Sequence, residues 1–259
     1  MVAVRVLSWN LHGMRDDRAA VLRVLRAVDA DVVCLQEAPR RPSTPGTRWR
    51  LRRLAAASGL RLVRGGREAA GNALLVSGRI EVVGAEAVRL PSPRWVLRQR
   101  QGRRGRRPRL RIGEQRGVVV AELRLPTDGS EPGAAATELV VAAVHLSLDG
   151  VERLRHVAMI LELIARRPGR PVLIAGDLNE LPDGPAWRVL AGVAADPRPG
   201  GPPTYPAAGP QQRIDAILLS AGVTVAGYGD AADIAAHPAA PADLAVASDH
   251  RPVVADLRF

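Results

Sequence analysis

An α/β fold of packed sheets covered by helices is predicted for this chain, and three observations predict it. Strand-like apolar runs recur from one end to the other. Helical spacing appears only between some of them, and the stretch from 73 to 144 is strand after strand with little helix. Strict alternation would indicate a purely parallel sheet, and the strand-rich middle argues against that. The 259 residues suffice for one large domain and show no linker or internal repeat, so 1–259 reads as a single unit.

Residues 3–9 read as a strand and 31–36 as a second, buried one. Between them Asp16 and Asp17 can start a helix, in which Val21, Leu22, Leu25 and Val28 share a face. Strands follow at 73–77, 80–88, 117–124 and 138–144. A helix from about 150 to 165 places Leu154, Ala158 and Leu161 at core spacing, and strands at 171–175, 214–219 and 252–258 complete the set. Asp183-Gly184-Pro185 opens a short helix. Residues 92–116 are Pro/Gly/Arg-rich and read as a mobile hairpin loop, 126–137 as a turn, and 197–212 and 230–247 as irregular.

Aromatics supply only 3% of the residues, so Leu, Val, Ile and Ala must build the core. No apolar run approaches the roughly 20 residues of a membrane span, and the N-terminus has no signal-peptide pattern. Cys34 is the only cysteine, so no internal disulfide is possible; within Val32-Val33-Cys34-Leu35 it reads as a small buried hydrophobe. A reducing, cytoplasmic setting is expected. The net charge is +11 and every basic side chain other than histidine is arginine. Eight arginines fall between Arg98 and Arg111 with no acid among them, and removing those eight leaves +3. Such a loop would attract a polyanion through counterion release, although it carries no interleaved aromatics for base stacking. A lysine-free, Ala/Arg/Gly/Pro-rich chain also fits compositional bias alone.

The chemistry lies at strand ends. Ser8-Trp9-Asn10, Gln36-Glu37, Gly176-Asp177-Leu178-Asn179 and Ser248-Asp249-His250-Arg251-Pro252 each abut an apolar run. Polar groups gathered at strand ends from across a chain are how an α/β protein builds one site. Asp215, inside the apolar run 214–219, is costly to bury unless paired, so a partner is expected.

Together with Gly71-Asn72-Ala73-Leu74-Leu75, Val144-His145-Leu146 and Arg213-Ile214-Asp215-Ala216, these segments resemble the endonuclease/exonuclease/phosphatase superfamily, in its order and over residues 8–252. Its members include pancreatic-type deoxyribonucleases, abasic-site endonucleases, neutral sphingomyelinases and inositol polyphosphate phosphatases. The resemblance implies a four-layer α/β sandwich: two mainly antiparallel sheets face to face, helices outside, and a cleft at one edge. It implies a metal-dependent hydrolase of phosphate esters. Asn10, Glu37 and, through water, Asp249 would hold Mg²⁺, or Mn²⁺ in its place, since hard cations take oxygen ligands. Asp177 would position and deprotonate the attacking water, and Asn179 would donate an amide hydrogen to the phosphoryl group. An extended chain at 177–179 would send both side chains to one side. Asp215 would orient His250, and His145 would be the second imidazole at the phosphate. Asn72 would contact the phosphate or shape the cleft, and Arg153 would steer the anion or lie solvated on its helix. His12 stands where abasic-site endonucleases carry an aspartate, which leaves a second metal site less equipped.

A phosphodiesterase or nuclease is the favoured reading, with nucleic acid the favoured substrate. The alternatives are a phosphodiesterase or phosphatase acting on a lipid headgroup or small phosphate ester, and a non-catalytic nucleic-acid-binding module. No stable membrane insertion and no protein partner are inferred.

Overall fold

Runs such as Val118–Ala121 and Val140–Val144 are apolar on both faces, so a sheet built from them needs cover on both sides. The computed structural model describes residues 1–38, 46–92, 95–98, 109–112, 114–127, 136–234, 236–237 and 239–259. In chain order its elements are β1 (Ala3–Asn10), α1 (Arg18–Val28), β2 (Val32–Gln36), α2 (Gly46–Ala57), β3 (Arg61–Gly65), β4 (Ala73–Val76), β5 (Glu81–Leu90), β6 (Trp95–Arg98), β7 (Arg109–Ile112), β8 (Arg116–Arg124), β9 (Glu138–His145), α3 (Gly150–Ala165), β10 (Val172–Asp177), α4 (Pro185–Ala191), β11 (Asp215–Leu219), β12 (Thr224–Asp230), α5 (Ala231–Ile234), α6 (Pro241–Ala247) and β13 (Val253–Arg258).

The strands form two large sheets, ordered β12-β13-β1-β2-β4-β3 and β11-β10-β9-β8-β5. Each contains a single parallel pair, β1–β2 joined through α1 and β9–β10 joined through α3; the other pairs are antiparallel. Alternation along the strands explains the layering. Val6, Cys34 and Leu74 of the first sheet meet Val119, Val141 and Ala175 of the second in the central core. The opposite faces turn outward: Leu7, Trp9 and Leu35 pack under Val24, Leu51 and Leu244 of α1, α2 and α6, and Val120, Ala142 and Ile174 under Ile160 and Leu190 of α3 and α4. Helix, sheet, sheet, helix is the four-layer α/β sandwich that the family resemblance implies.

Three details differ from the expectation. Helix α3 buries Val157, Ile160 and Ile164, while Leu154 is 39% exposed and Ala158 faces solvent. Two apolar stripes compete along α3, and the branched one fits the second sheet. The stretch 230–247 holds α5 and α6, where Pro241 opens α6 and Leu244 and Ala247 bury against α1. Within 92–116 the ends pair as the β6–β7 ribbon, Trp95 opposite Ile112, and β8 already begins at Arg116. Residues 99–108 of that loop and 128–135 of the expected turn lie outside the described residues. Among the described residues no helix is long and apolar enough to cross a membrane.

Candidate active site

The carboxyl ends of the two parallel pairs meet across the sandwich. In the first sheet Asn10 pairs with Gln36, and Glu37 follows. In the second, Asp177 pairs with His145 on one side and with Asp215 on the other. Close approach is possible because residue 176 is glycine: a Cβ there would fall 1.9 Å from the Val144 carbonyl oxygen. The amide of Asn10 donates to Asp177 Oδ2 at 2.9 Å, and so bridges the sheets. The segment before β13 is pinned to β1 twice. The Trp9 indole N–H donates to the His250 carbonyl at 2.8 Å, and the Ser248 hydroxyl donates to the Asn10 carbonyl at 2.6 Å.

His250 therefore sits between two carboxylates. Its Nδ1 lies 2.9 Å from Asp215 Oδ2, and its Nε2 lies 3.9 Å from Asp177 Oδ2. Asp177 Oδ2 is also 3.3 Å from His145 Nε2. The Thr204 hydroxyl donates to Asp215 Oδ2 at 2.6 Å, and the Tyr205 ring stands 4.9 Å from the His250 ring. Asp177, Asp215 and His250 are only 1, 1 and 6% exposed. Burial works against charge on all three, and their mutual attraction answers it. Burial raises Asp177, yet the His145 and His250 imidazoles and the Asn10 amide outweigh it and hold that carboxyl well below the usual range. Burial lowers His250, yet Asp215 first, then Asp177 and Asp249, push it up to about 9. Burial lifts Asp215 above the ordinary range; His250 opposes that and the Asp177 charge adds to it. At neutral pH the group is a cationic imidazole held between acids.

Glu37 is half-buried with φ 47, and lines a recess of about 200 Å³ together with Arg15, Glu114 and Arg116, the last two paired at 2.7 Å. Asp249 Oδ1 is buried with no hydrogen-bond partner among the described residues, and its Oδ2 lies 3.8 Å from His12 Nε2. Asn10, Glu37 and Asp249 offer oxygen donors alone, the chemistry that suits a hard divalent cation. Ligand atoms of Asp177, Asp215 and His250 also lie within 4.8 Å of one another, a second arrangement that could hold a metal ion. There His250 Nδ1 is already engaged by Asp215.

Two residues are placed differently from the expectation. Asn179 is not in extended chain: its φ is 50, its N–H donates to Asp177 Oδ1 at 2.9 Å, and its side-chain amide donates to the Leu146 carbonyl at 3.0 Å. The turn, rather than a period of two, sets its direction. Arg153 is 9% exposed, donates to the Ser147 and Asn179 carbonyls, and pairs with Glu180 at 3.1 Å. It is neither solvated nor unpaired, and its bond to the Asn179 carbonyl ties that turn to α3. Asn72 is buried, with its amide donating to the Gly117 carbonyl and its Oδ1 without a partner among the described residues. Thr204, Tyr205, Trp9 and Ser248 also support the site. Trp9 and Ser248 carry a signal in the sequence, inside Ser8-Trp9-Asn10 and Ser248-Asp249-His250, and Thr204 and Tyr205 carry none.

A model of the Endonuclease/Exonuclease/phosphatase family matches residues 7–250. Among solved structures the chain is similar to an endonuclease/exonuclease/phosphatase from Bacteroides vulgatus, at 18% identity and TM-score 0.67 with both chains fully covered. It is similar to D. rerio TDP2 complexed with a single-strand DNA product, at 18% identity and TM-score 0.65, again with full coverage of both. A third is the Bacteroides thetaiotaomicron mannosyl-6-phosphatase, at 15% identity and TM-score 0.62, covering 99% of this chain and 100% of that one. No curated protein matches the sequence.

Proposed function

The chain belongs to the endonuclease/exonuclease/phosphatase family, and from that premise we propose that it is a Mg²⁺-dependent phosphodiesterase that cleaves nucleic acid by in-line attack of water. The observation that carries this reading is Asp177: one buried carboxylate oxygen touches the Asn10 amide and the His145 imidazole, with His250 next to it. Asn10, Glu37 and Asp249 would hold the cation, which would neutralise charge developing on the phosphoryl and leaving oxygens. Asp177 stays ionised beneath its imidazoles, so it can orient a water and accept its proton as the new P–O bond forms. The His250 cation, fixed by Asp215 and Thr204, stabilises the non-bridging oxygens. His145, which reaches the same Asp177 oxygen, would pass a proton to the departing oxygen. Asn179 and Arg153 act through the turn that holds Asp177.

Among the structural relatives one carries a DNA product and another is a mannosyl-6-phosphatase. Identities of 18% and 15% carry the fold and leave the substrate to this chain's own surface. The recess beside Glu37, about 200 Å³, would also admit a small phosphate monoester, which makes phosphatase activity the second reading. A substrate panel of single- and double-stranded DNA, RNA, sphingomyelin, phosphoinositides and a chromogenic phosphodiester, each with Mg²⁺ and with chelator, tests both. Chelator-sensitive turnover of diesters is expected; turnover of monoesters alone favours the second reading, and turnover of none rejects both.

A further inference from the structure

We propose that the groove between α1 and α2 binds a single-stranded stretch of the substrate, with one unpaired base stacked on Trp49, and feeds the strand toward Glu37. This rests on the phosphoesterase reading for what happens at the strand's end. The groove holds about 600 Å³ and is lined by Arg15, Arg18 and Leu22 on one side and by Trp49, Arg50 and Arg53 on the other.

Trp49 is 58% exposed and lines the groove, so its ring is open to a ligand lying there. Positions 49, 50 and 53 share one face of α2, and the Arg53 guanidinium stands 5.4 Å from the Trp49 ring centroid. The charges around the groove do not cancel. Asp16 faces His12 at 2.7 Å, and Asp17 caps the start of α1. Arg23, just outside, is held by Asp243 at 2.7 Å. No carboxylate pairs with Arg15, Arg50 or Arg53 among the described residues. An aromatic face beside unpaired guanidiniums offers stacking to a base and charge to phosphates, the combination a single strand needs. A lone monoester would use the charge and leave the ring bare, and a paired base would have no free face to give it.

Continuity joins the groove to the chemistry. Gly13 and Arg15 line both the groove and the recess that contains Glu37. A polyanion with one phosphate beside Glu37 would pass Arg15 and lie between the helices.

Fluorescence anisotropy of a labelled oligothymidylate, measured with chelator so that nothing is cut, tests the groove. Trp49→Ala is expected to weaken binding about tenfold, the scale of one base–aromatic stack, and Trp49→Phe to recover most of it. The double variant Arg50→Gln/Arg53→Gln should reduce the slope of log affinity against log salt by about 1.4, two phosphate contacts on a single strand. Trp49 is on the surface, so folding is not at stake. Equal affinity of wild type and Trp49→Ala would overturn the proposal, as would an equal loss on blunt duplex DNA. Wild-type hydrolysis of a small chromogenic phosphodiester with Mg²⁺ is measured separately. Turnover there with no effect of Trp49→Ala on binding removes the groove and keeps the phosphoesterase. Strand binding with no turnover removes delivery to a catalytic edge.

Discussion

Asp215 Oδ2 and His250 Nδ1 lie 2.9 Å apart, both buried, although the two residues come from β11 and the approach to β13. The contact accounts for a carboxylate inside an apolar strand: the imidazole charge and the Thr204 hydroxyl compensate its burial. In the metal-free protein Asp215→Asn should therefore lower the His250 pKa from about 9, because burial is then opposed by Asp177 and Asp249 alone. Imidazole nitrogen NMR across pH 5–10 measures it. A His250 midpoint that stayed near 9 would show that Asp215 is not its source of charge stabilisation.

Stability of the metal-free protein should depend on pH with opposite signs on two sides. His250 rises from an ordinary 6.5 to about 9 on folding, so its stabilisation is complete below 6.5 and is lost as pH climbs through 9. Asp177 falls below its ordinary value of 3.8, so its share is present above that pH and is lost as acid protonates it. Thermal midpoints measured in chelator should decline on both flanks. The alkaline decline should shrink in His250→Gln, because the titrating cation is gone.

Asp177→Asn preserves size and can still accept from the Asn10 amide, but it cannot take a proton from water. Turnover of a phosphodiester should drop on the order of 10²–10⁴ while circular dichroism stays native. Undiminished turnover with purified variant would refute the assignment of Asp177.

Gly176→Ala tests the geometry rather than the charges. The added methyl meets the Val144 carbonyl oxygen, so β9 and β10 must part where His145 faces Asp177. A loss of about 1–3 kcal/mol in chemical denaturation is expected, with kcat falling further than stability alone explains.

Much of this architecture was legible because it follows from strand ends. Asn10, Glu37 and Asp177 close an apolar run and His250 precedes one, and a period of two is enough to find such runs. Long-range pairing was not legible. Nothing local places Thr204, beyond a run of prolines, on Asp215, or Trp9 on the His250 carbonyl. Asn179 was misdirected for a related reason. A left-handed φ at a non-glycine residue depends on the Asp177 side chain accepting its N–H, which spacing does not reveal. The stretch 46–65 went unread because α2 alternates arginine with apolar residues around Trp49, a pattern whose exposed face makes sense only beside α1. In α3 two apolar stripes were equally regular, and only the second sheet chooses between them.

Arg153 and Glu180 provide the last test, since their ion pair is nearly buried, with side chains 11% exposed on each side. Glu180 has further duties: its Oε2 accepts the Ala186 and Trp187 amide N–H groups at the start of α4. Arg153→Met would leave that carboxylate buried without its cation and free the Asn179 carbonyl, at a cost of about 3 kcal/mol. Adding Glu180→Gln removes the uncompensated charge, and the amide oxygen can still cap α4. The double variant should therefore regain most of the lost stability, while kcat stays low because Asn179 is still untied. Denaturation midpoints and kcat for the four proteins of the cycle separate the two effects. Full recovery of kcat in the double variant would mean that Arg153 contributes only to folding.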